Sequence, residues 1–261
     1  MPRVYCCQHD IQWEDAPRNC QRVRHLLAGI VPASLVLLPE MFATGFTMTV
    51  GNADRAASIR NFLAATAADL GIFIQAGVTL PGPDGKGHNA SLTFDPSGAC
   101  VCQYVKLHPF AYGTESKYYA PGESLAAFPW QGFVAAPLIC YDLRFPEVFR
   151  TAALRGATLL TVIANWPIER EAHWLALLSA RAIENQAYVA AVNRVGTDPK
   201  LTYGGRSLII DPRGVVIADA GNAEKLISAE LDLSPLQSYR AEFPALADMR
   251  VEYCDAFGRL L

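Results

Sequence analysis

Short apolar runs alternate along this chain with longer segments of helical spacing, and that alternation restricts it to folds that bury sheet beneath helices. Ser34 to Leu38, Ile72 to Thr79, Val134 to Ile139, Thr158 to Ala164 and Tyr188 to Asn193 are too short for core helices and rich in aliphatic or β-branched residues, so each reads as a buried strand. Val4 to Gln8 reads as a further strand at the start. The intervening segments carry helical faces: Val23, Leu26 and Leu27 within Asp15 to Ala28, Ile59, Phe62, Leu63 and Leu70 within Ala56 to Leu70, and Trp174, Leu177, Leu178 and Ala182 within Glu171 to Ala187. Glu147 to Leu154 is a shorter helix stopped near Gly156. Two tight turns, Asp95-Pro-Ser-Gly98 and Asp211-Pro-Arg-Gly214, join antiparallel pieces: Asn89 to Phe94 with Ala99 to Val105, and Ser207 to Ile210 with Val215 to Ala218. Leu226 to Leu231 is a last strand, and Ser234 is expected to cap a short helix through Ala241. The rest of the tail has no clear pattern. No repeat or linker divides the chain, so one α/β domain over residues 1–261 is expected.

Reactive side chains sit where the strands end. Ligands of open α/β sheets bind at the carboxyl ends of strands, and Glu40, Lys106 and Cys140 each follow a strand directly. Cys140 lies in Pro137-Leu-Ile-Cys-Tyr-Asp-Leu-Arg-Phe-Pro-Glu147, where Pro146-Glu147 suits a first helical turn. A thiol at such an elbow is expected to feel the positive end of the helix, which favours thiolate. Singly, Glu40 could cap a helix, Lys106 could be solvated and Cys140 could be core. Together, a carboxylate, an ammonium and a thiol are the parts of an acyl-transfer site. The segment from Lys106 to Ala127 is long for a loop and carries Tyr112, Glu115, Tyr118 and Tyr119, which favours a functional role. Arg144 and Glu147 read as a paired or helix-capping set that holds the elbow together.

Composition narrows the partners. A hydrophobic fraction of 51%, 18% charged residues and a net charge of −3 give no electrostatic reason to expect nucleic acid or an anionic membrane, so a small molecule is the expected partner. The seven cysteines are odd in number and irregularly spaced, and no apolar leader opens the chain, so a reducing, cytoplasmic setting is expected. The five histidines are scattered and match no zinc spacing, and no glycine-rich phosphate loop is present, so neither metal nor cofactor is expected. A papain-like arrangement would make His108 or His173 the base for Cys140, but neither lies in a recognisable context for that chemistry.

Leu38-Pro-Glu-Met-Phe-Ala-Thr-Gly45, Tyr104-Val-Lys-Leu-His108 and Cys140-Tyr-Asp-Leu-Arg-Phe-Pro-Glu147, in this order, resemble the three signature blocks of the nitrilase (carbon-nitrogen hydrolase) superfamily. Glu115-Ser-Lys-Tyr-Tyr-Ala-Pro-Gly122 is similar to the segment that holds the family's second glutamate, and the likeness extends from about Val4 to Leu231. The resemblance implies a four-layer αββα sandwich of two mixed β-sheets flanked by helices, with subunits paired through a helical layer as a homodimer or higher homo-oligomer. It implies Cys140 as nucleophile, Glu40 as general base, Lys106 and the backbone N–H of Tyr141 at the oxyanion, and Glu115 orienting Lys106 and substrate. The elbow, Asn165-Trp166-Pro167 and His173-Trp174 look most like the omega-amidase branch, whose members deamidate 2-oxoglutaramate or 2-oxosuccinamate. An N-carbamoyl amine or amino-acid hydrolase would use the same residues, and a non-catalytic binding member is the alternative of a different class. Lys117, Arg144 and Arg206 are candidates for a substrate's distal carboxylate, and Phe42, Tyr141 and Trp166 for the pocket wall.

Overall fold

In the computed structural model, which describes residues 1–250, Cys6 and Cys7 are neighbours in sequence yet pack into different cores. Successive residues of a strand point to opposite faces, and here both faces are covered. Val4, Cys6, Leu35 and Leu37 meet a second sheet, while Tyr5, Cys7, Val36 and Leu38 meet helices. That two-sided burial is why the strands read as continuous apolar runs. Cys254 and the end of the expected 1–261 domain lie outside the described residues.

The first half of the chain supplies β1 (Arg3–Gln8), α1 (Ala16–Leu26), β2 (Leu35–Leu37), α2 (Ala53–Leu70), β3 (Phe73–Pro81), β4 (Gly87–Phe94) and β5 (Cys100–Val105). After a loop holding the single turn α3 (Glu115–Tyr118) come β6 (Phe128–Trp130), β7 (Phe133–Ile139), α4 (Pro146–Leu154), β8 (Leu159–Ile163), α5 (Glu171–Asn185) and β9 (Tyr188–Val192). The chain continues with a separate hairpin, β10 (Val195–Thr197) and β11 (Thr202–Gly204), then β12 (Leu208–Ile210), β13 (Val216–Asp219), β14 (Lys225–Glu230) and α6 (Leu233–Glu242). One six-stranded sheet has the order β14-β1-β2-β3-β4-β5, the other β13-β12-β9-β8-β7-β6. Each is mixed: β1, β2 and β3 are parallel, as are β7, β8 and β9, and the flanking strands are antiparallel. The sheets face each other, with Thr161 Oγ1 donating to Gln75 Oε1 across the gap at 2.9 Å. α1 and α2 cover one outer face and α4 and α5 the other, which makes the four-layer αββα sandwich. No helix among the described residues is long and apolar enough to cross a membrane.

Local chemistry explains where the elements begin. Asp15 caps α1 by accepting from Arg18 N, and Asn52 caps α2 by accepting from Arg55 N, so α2 starts three residues before the expected Ala56. Its first turn is largely exposed and shows no apolar spacing. The final helix is capped by Asp232, which accepts from Ser234 N; Ser234 itself is inside the helix. The hairpin β6–β7 was not expected, because its two-residue turn is Gln131-Gly132 rather than Asn-Gly. Both residues have positive φ, 45° and 89°, as a primed turn requires.

Topology also sets the position of the functional groups. β2 and β3 run parallel, and two reversals through β4 and β5 restore that direction. Glu40, after β2, and Lys106, after β5, therefore leave the first sheet at the same edge. Cys140 and Asn165 leave β7 and β8 of the facing sheet.

Candidate active site

The turn that carries Glu40 is pressed against β3: Leu38 N donates to Gln75 O, Gly77 N to Pro39 O and Phe42 N to Gly77 O. A Cβ at Gly77 would fall 2.5 Å from Glu40 Cα, so only glycine permits this approach. The Glu40 carboxylate is fully buried. Its Oε1 accepts from Lys106 Nζ at 2.8 Å and from Asn89 Nδ2 at 2.7 Å, and its Oε2 accepts from Asn165 N at 2.9 Å. Lys106, 1% exposed, also reaches Glu115 Oε2 at 2.9 Å. Glu115 is buried in α3, and its Oε1 accepts from the same Asn89 amide at 2.7 Å. One ammonium and one amide thus separate two buried carboxylates. Burial opposes the Lys106 charge, but Glu115 and then Glu40 outweigh it and hold the ammonium well above its ordinary pKa.

Cys140 opens a 3-10 turn over Cys140–Arg144, and α4 begins only at Pro146. The expectation that the α4 dipole acts on the thiol is therefore corrected: the sulfur does not sit at that helix's first turn, and a dipole's influence falls off within one turn. Burial, and next the Glu40 charge, push the Cys140 pKa well above that of a free thiol, with Lys106 opposing less strongly. The residue in place is a thiol, and it donates to Asn165 O at 3.8 Å. Cys140 has φ of 45°, a conformation rare for a side-chain-bearing residue. The turn is tied down by buried Asp142, whose carboxylate accepts from Ile139 N, Tyr104 OH, and His108 N and Nδ1. Asp142 thus joins the turn of Cys140 to the strand that leads into Lys106.

Cys140 and Lys106 line one cavity with Phe46, Phe110, Tyr141, Arg144, Asn165, Trp166, Pro167, Arg170 and Leu201. Its walls are mainly apolar, and it adjoins an outer recess that shares Phe46, Phe110, Arg170 and Leu201. Among the expected substrate-binding residues, Arg144 and Trp166 are in the cavity, with the Arg144 guanidinium 4.9 Å from the Trp166 ring centre. Three others are corrected. Phe42 is core, stacked against Phe62, because its strand-end turn directs it toward α2. Lys117 is exposed on α3 away from the cavity, since Glu115 takes the buried face of that single turn. Arg206 is held outside by Asp219 and Glu171 at 2.7 and 3.4 Å. Arg144 meets His173 Nδ1 at 3.2 Å instead of bracing Glu147. His108 stacks on Phe145 and faces Asp142, so neither histidine is placed as a base for Cys140. Among the described residues no group of three or more His, Cys, Asp or Glu could hold a metal ion.

Sequence reading missed Asn89, which lies inside a strand, and the full part of Asn165. Asn165 holds Glu40 through its backbone N–H and amide while its carbonyl receives the thiol, so it sets the Glu40 carboxylate and the Cys140 thiol side by side. Arg170 was also missed, because nothing in its local pattern separates it from a surface arginine.

Comparison with known proteins agrees with this geometry. The family model described as Carbon-nitrogen hydrolase matches residues 3–241. Omega-amidase YafV of Escherichia coli strain K12 is 39% identical over 250 residues, covering 94% of this chain and 96% of that protein. The 2-oxoglutaramate amidase of Bacillus subtilis strain 168 is 35% identical over 253 residues, covering 95% and 97%. A CN-hydrolase superfamily protein from Xanthomonas campestris, solved with an arsenic adduct in its active site, superposes with a TM-score of 0.86 at 34% identity, covering 95% of this chain and 97% of that one.

Proposed function

The chain belongs to the carbon-nitrogen hydrolase family and so hydrolyses non-peptide carbon–nitrogen bonds, and on that premise we propose that Cys140, Glu40, Lys106 and Glu115 form an omega-amidase site for 2-oxoglutaramate or 2-oxosuccinamate. The observation that carries the reading is the buried Glu40–Lys106–Glu115 network at the wall of the cavity that also holds the Cys140 thiol. Glu40 Oε1 is filled by two donors, whereas Oε2 has one short bond, from Asn165 N, leaving acceptor capacity for a thiol proton.

In the first half-reaction the Cys140 sulfur attacks the amide carbonyl carbon as its proton passes to Glu40. The tetrahedral oxyanion faces Lys106 and the N–H of Tyr141, which lies in the first turn of a helical segment where N–H groups lack partners within the turn. The C–N bond then breaks, Glu40 returns the proton to the departing nitrogen, and ammonia leaves a thioester on Cys140. Water attacks the thioester while Glu40 takes its proton; the C–S bond breaks, the acid departs and the sulfur is reprotonated. Glu115 keeps the Lys106 ammonium aimed by two oxygens, at 3.2 and 2.9 Å.

An ammonia-release screen over omega-amides of 2-oxo acids, carbamoyl compounds and nitriles tests the reading. Turnover of 2-oxoglutaramate or 2-oxosuccinamate above all others is expected, and glutamine hydrolysis without activity on the 2-oxo analogue would sink it. The pH profile is a second check. Both Lys106 and Cys140 are shifted upward, so ammonium and thiol persist as pH rises from 7 to 9. kcat/KM should therefore show no descending limb centred below pH 9; such a limb would mean that one of the two groups had already lost its proton.

The same reading places the protein in a reducing, cytoplasmic setting, supported by free thiols at all six described cysteines. It also treats the chain as one domain and pairs subunits through the α4–α5 layer, where Leu154 and Ile183 are exposed.

A further inference from the structure

The β10–β11 hairpin belongs to neither six-stranded sheet, yet its turn reaches the cavity that holds the thiol. The inner cavity measures about 30 Å³ and the outer recess about 740 Å³, and the residues they share are Phe46, Phe110, Arg170 and Leu201. These four side chains form a neck between the two spaces. The Phe46 ring centre lies 5.5 Å from Lys106 Nζ, and the Phe110 ring meets Tyr141 edge-on with centres 4.9 Å apart. Leu201 comes from the hairpin turn, Asp198-Pro-Lys-Leu201. There Asp198 Oδ1 accepts from the N–H groups of Lys200 and Leu201, each at 2.7 Å, while its Oδ2 accepts from Tyr203 OH at 2.6 Å. Asp198 N donates to Leu201 O at 3.0 Å and closes the turn. The Arg194 guanidinium, fully buried, lies 4.5 Å from the Tyr203 ring centre and donates to Asp10 Oδ1, Ile11 O and Thr197 O. Releasing those bonds would strand a buried charge, so the hairpin is tied to the chain after β1 and Leu201 has a fixed place.

Resting on the omega-amidase reading, we propose that Leu201 is a specificity-determining residue: with Phe46 and Phe110 it sets the width of the neck, so that straight acyl chains are accepted and branched ones rejected. When ammonia is the leaving group, only hydrogen lies beyond the amide nitrogen, and the small inner cavity holds the reacting carbonyl and little more. The rest of the acyl chain therefore crosses the neck. A methyl branch at that level meets the Leu201 side chain and two aromatic rings, and a turn tied by Asp198, Tyr203 and Arg194 does not shift to relieve the overlap. Phe46 and Phe110 neighbour Lys106 and Tyr141, so Leu201 is the wall of the neck that can be altered away from the oxyanion groups. Tyr203 acts at one remove, as a positioning residue for the turn.

The test compares wild type with Leu201→Ala, Leu201→Met and Tyr203→Phe, each checked for an unchanged thermal transition. Two ratios are read. One is kcat/KM for 2-oxoglutaramate over that for 3,3-dimethyl-2-oxoglutaramate. The other needs no turnover: the rate at which Cys140 is labelled by acrylamide over the rate with N-tert-butylacrylamide, followed by mass spectrometry of the Cys140 peptide. In that labelling the sulfur bonds to the terminal alkene carbon and the thiol proton ends on the carbon beside the carbonyl, so the amide nitrogen and its substituent point out through the neck. Leu201→Ala should lower both ratios about tenfold or more, the usual weight of a methylene-sized change in an apolar site. Leu201→Met, of nearly the same volume, should leave both near their wild-type values, and Tyr203→Phe, which keeps the ring on Arg194 but frees Asp198, should lower them by a smaller factor. Ratios within twofold of wild type in Leu201→Ala, or a wild type that takes both members of each pair equally well, overturn the neck while leaving the omega-amidase reading standing. A lowered labelling ratio in Leu201→Ala, in a protein that turns over no 2-oxo acid amide, supports the neck and overturns the omega-amidase reading instead.

Discussion

Replacing Lys106 with methionine should lower kcat at least a hundredfold and destabilise the fold by about 3–5 kcal/mol, the usual cost of removing one partner from a buried ion pair. The size of the effect follows from what remains. Glu40 and Glu115 are fully buried, with Asn89 as the amide they share, and without the ammonium two carboxylates confront each other out of water. The linkage sign agrees. A lysine whose pKa is raised on folding stabilises fully below its unfolded value of about 10.5 and ceases to do so only as pH rises through the folded value, so the whole contribution is present at neutral pH. Urea denaturation and steady-state ammonia release measure the two losses. The double variant Lys106→Met with Glu115→Gln separates them: removing one carboxylate should restore much of the stability and none of the turnover. Full recovery of turnover would reduce Lys106 to a counterion for Glu115, and a single variant as stable and active as wild type would remove it from the site.

Glu40, Lys106 and Cys140, the groups we propose as catalytic, stood out in the sequence because each follows a strand, where a short apolar run stops abruptly. What joins them did not. That β5 exits at the same edge as β2 depends on two reversals of direction, and Asn89 reaches both carboxylates from within an otherwise ordinary strand. The second sheet was known only through family resemblance, since two-sided burial looks alike whether helices or strands lie above. Substrate-facing positions were least legible. Phe42, Lys117 and Arg206 had suitable side chains, but their directions were decided by contacts with α2, by the single turn α3 and by Asp219, all distant or weak in local pattern. Arg170 lacked any mark beyond its charge. The elbow shows the opposite error: a local signal, Pro146 at a helix start, suggested dipole activation of a thiol whose pKa is raised first by burial and then by the charge of Glu40 from the facing sheet.

As the proposed nucleophile, Cys140 is the residue whose change to alanine has the largest expected effect, a loss of more than about 10⁴-fold in kcat with the fold intact. The thiol's one hydrogen bond, to Asn165 O, is long at 3.8 Å, and alanine at the same positive φ faces the strain cysteine already bears, so the melting temperature should move little. Removing the sulfur also removes a group whose ionisation Glu40 disfavours, while the Glu40–Lys106–Glu115 network loses no bond. Substrate should therefore still bind, unhydrolysed. Hydroxylamine provides the sharper readout: it should intercept the wild-type thioester as a hydroxamate during turnover, and no hydroxamate should form in the variant. Cys140→Ser should do scarcely better than alanine, because a carboxylate strong enough to take a proton from a thiol under attack is a far weaker base toward a hydroxyl. Ammonia release at the wild-type rate from the folded alanine variant would end the proposal that Cys140 is the nucleophile.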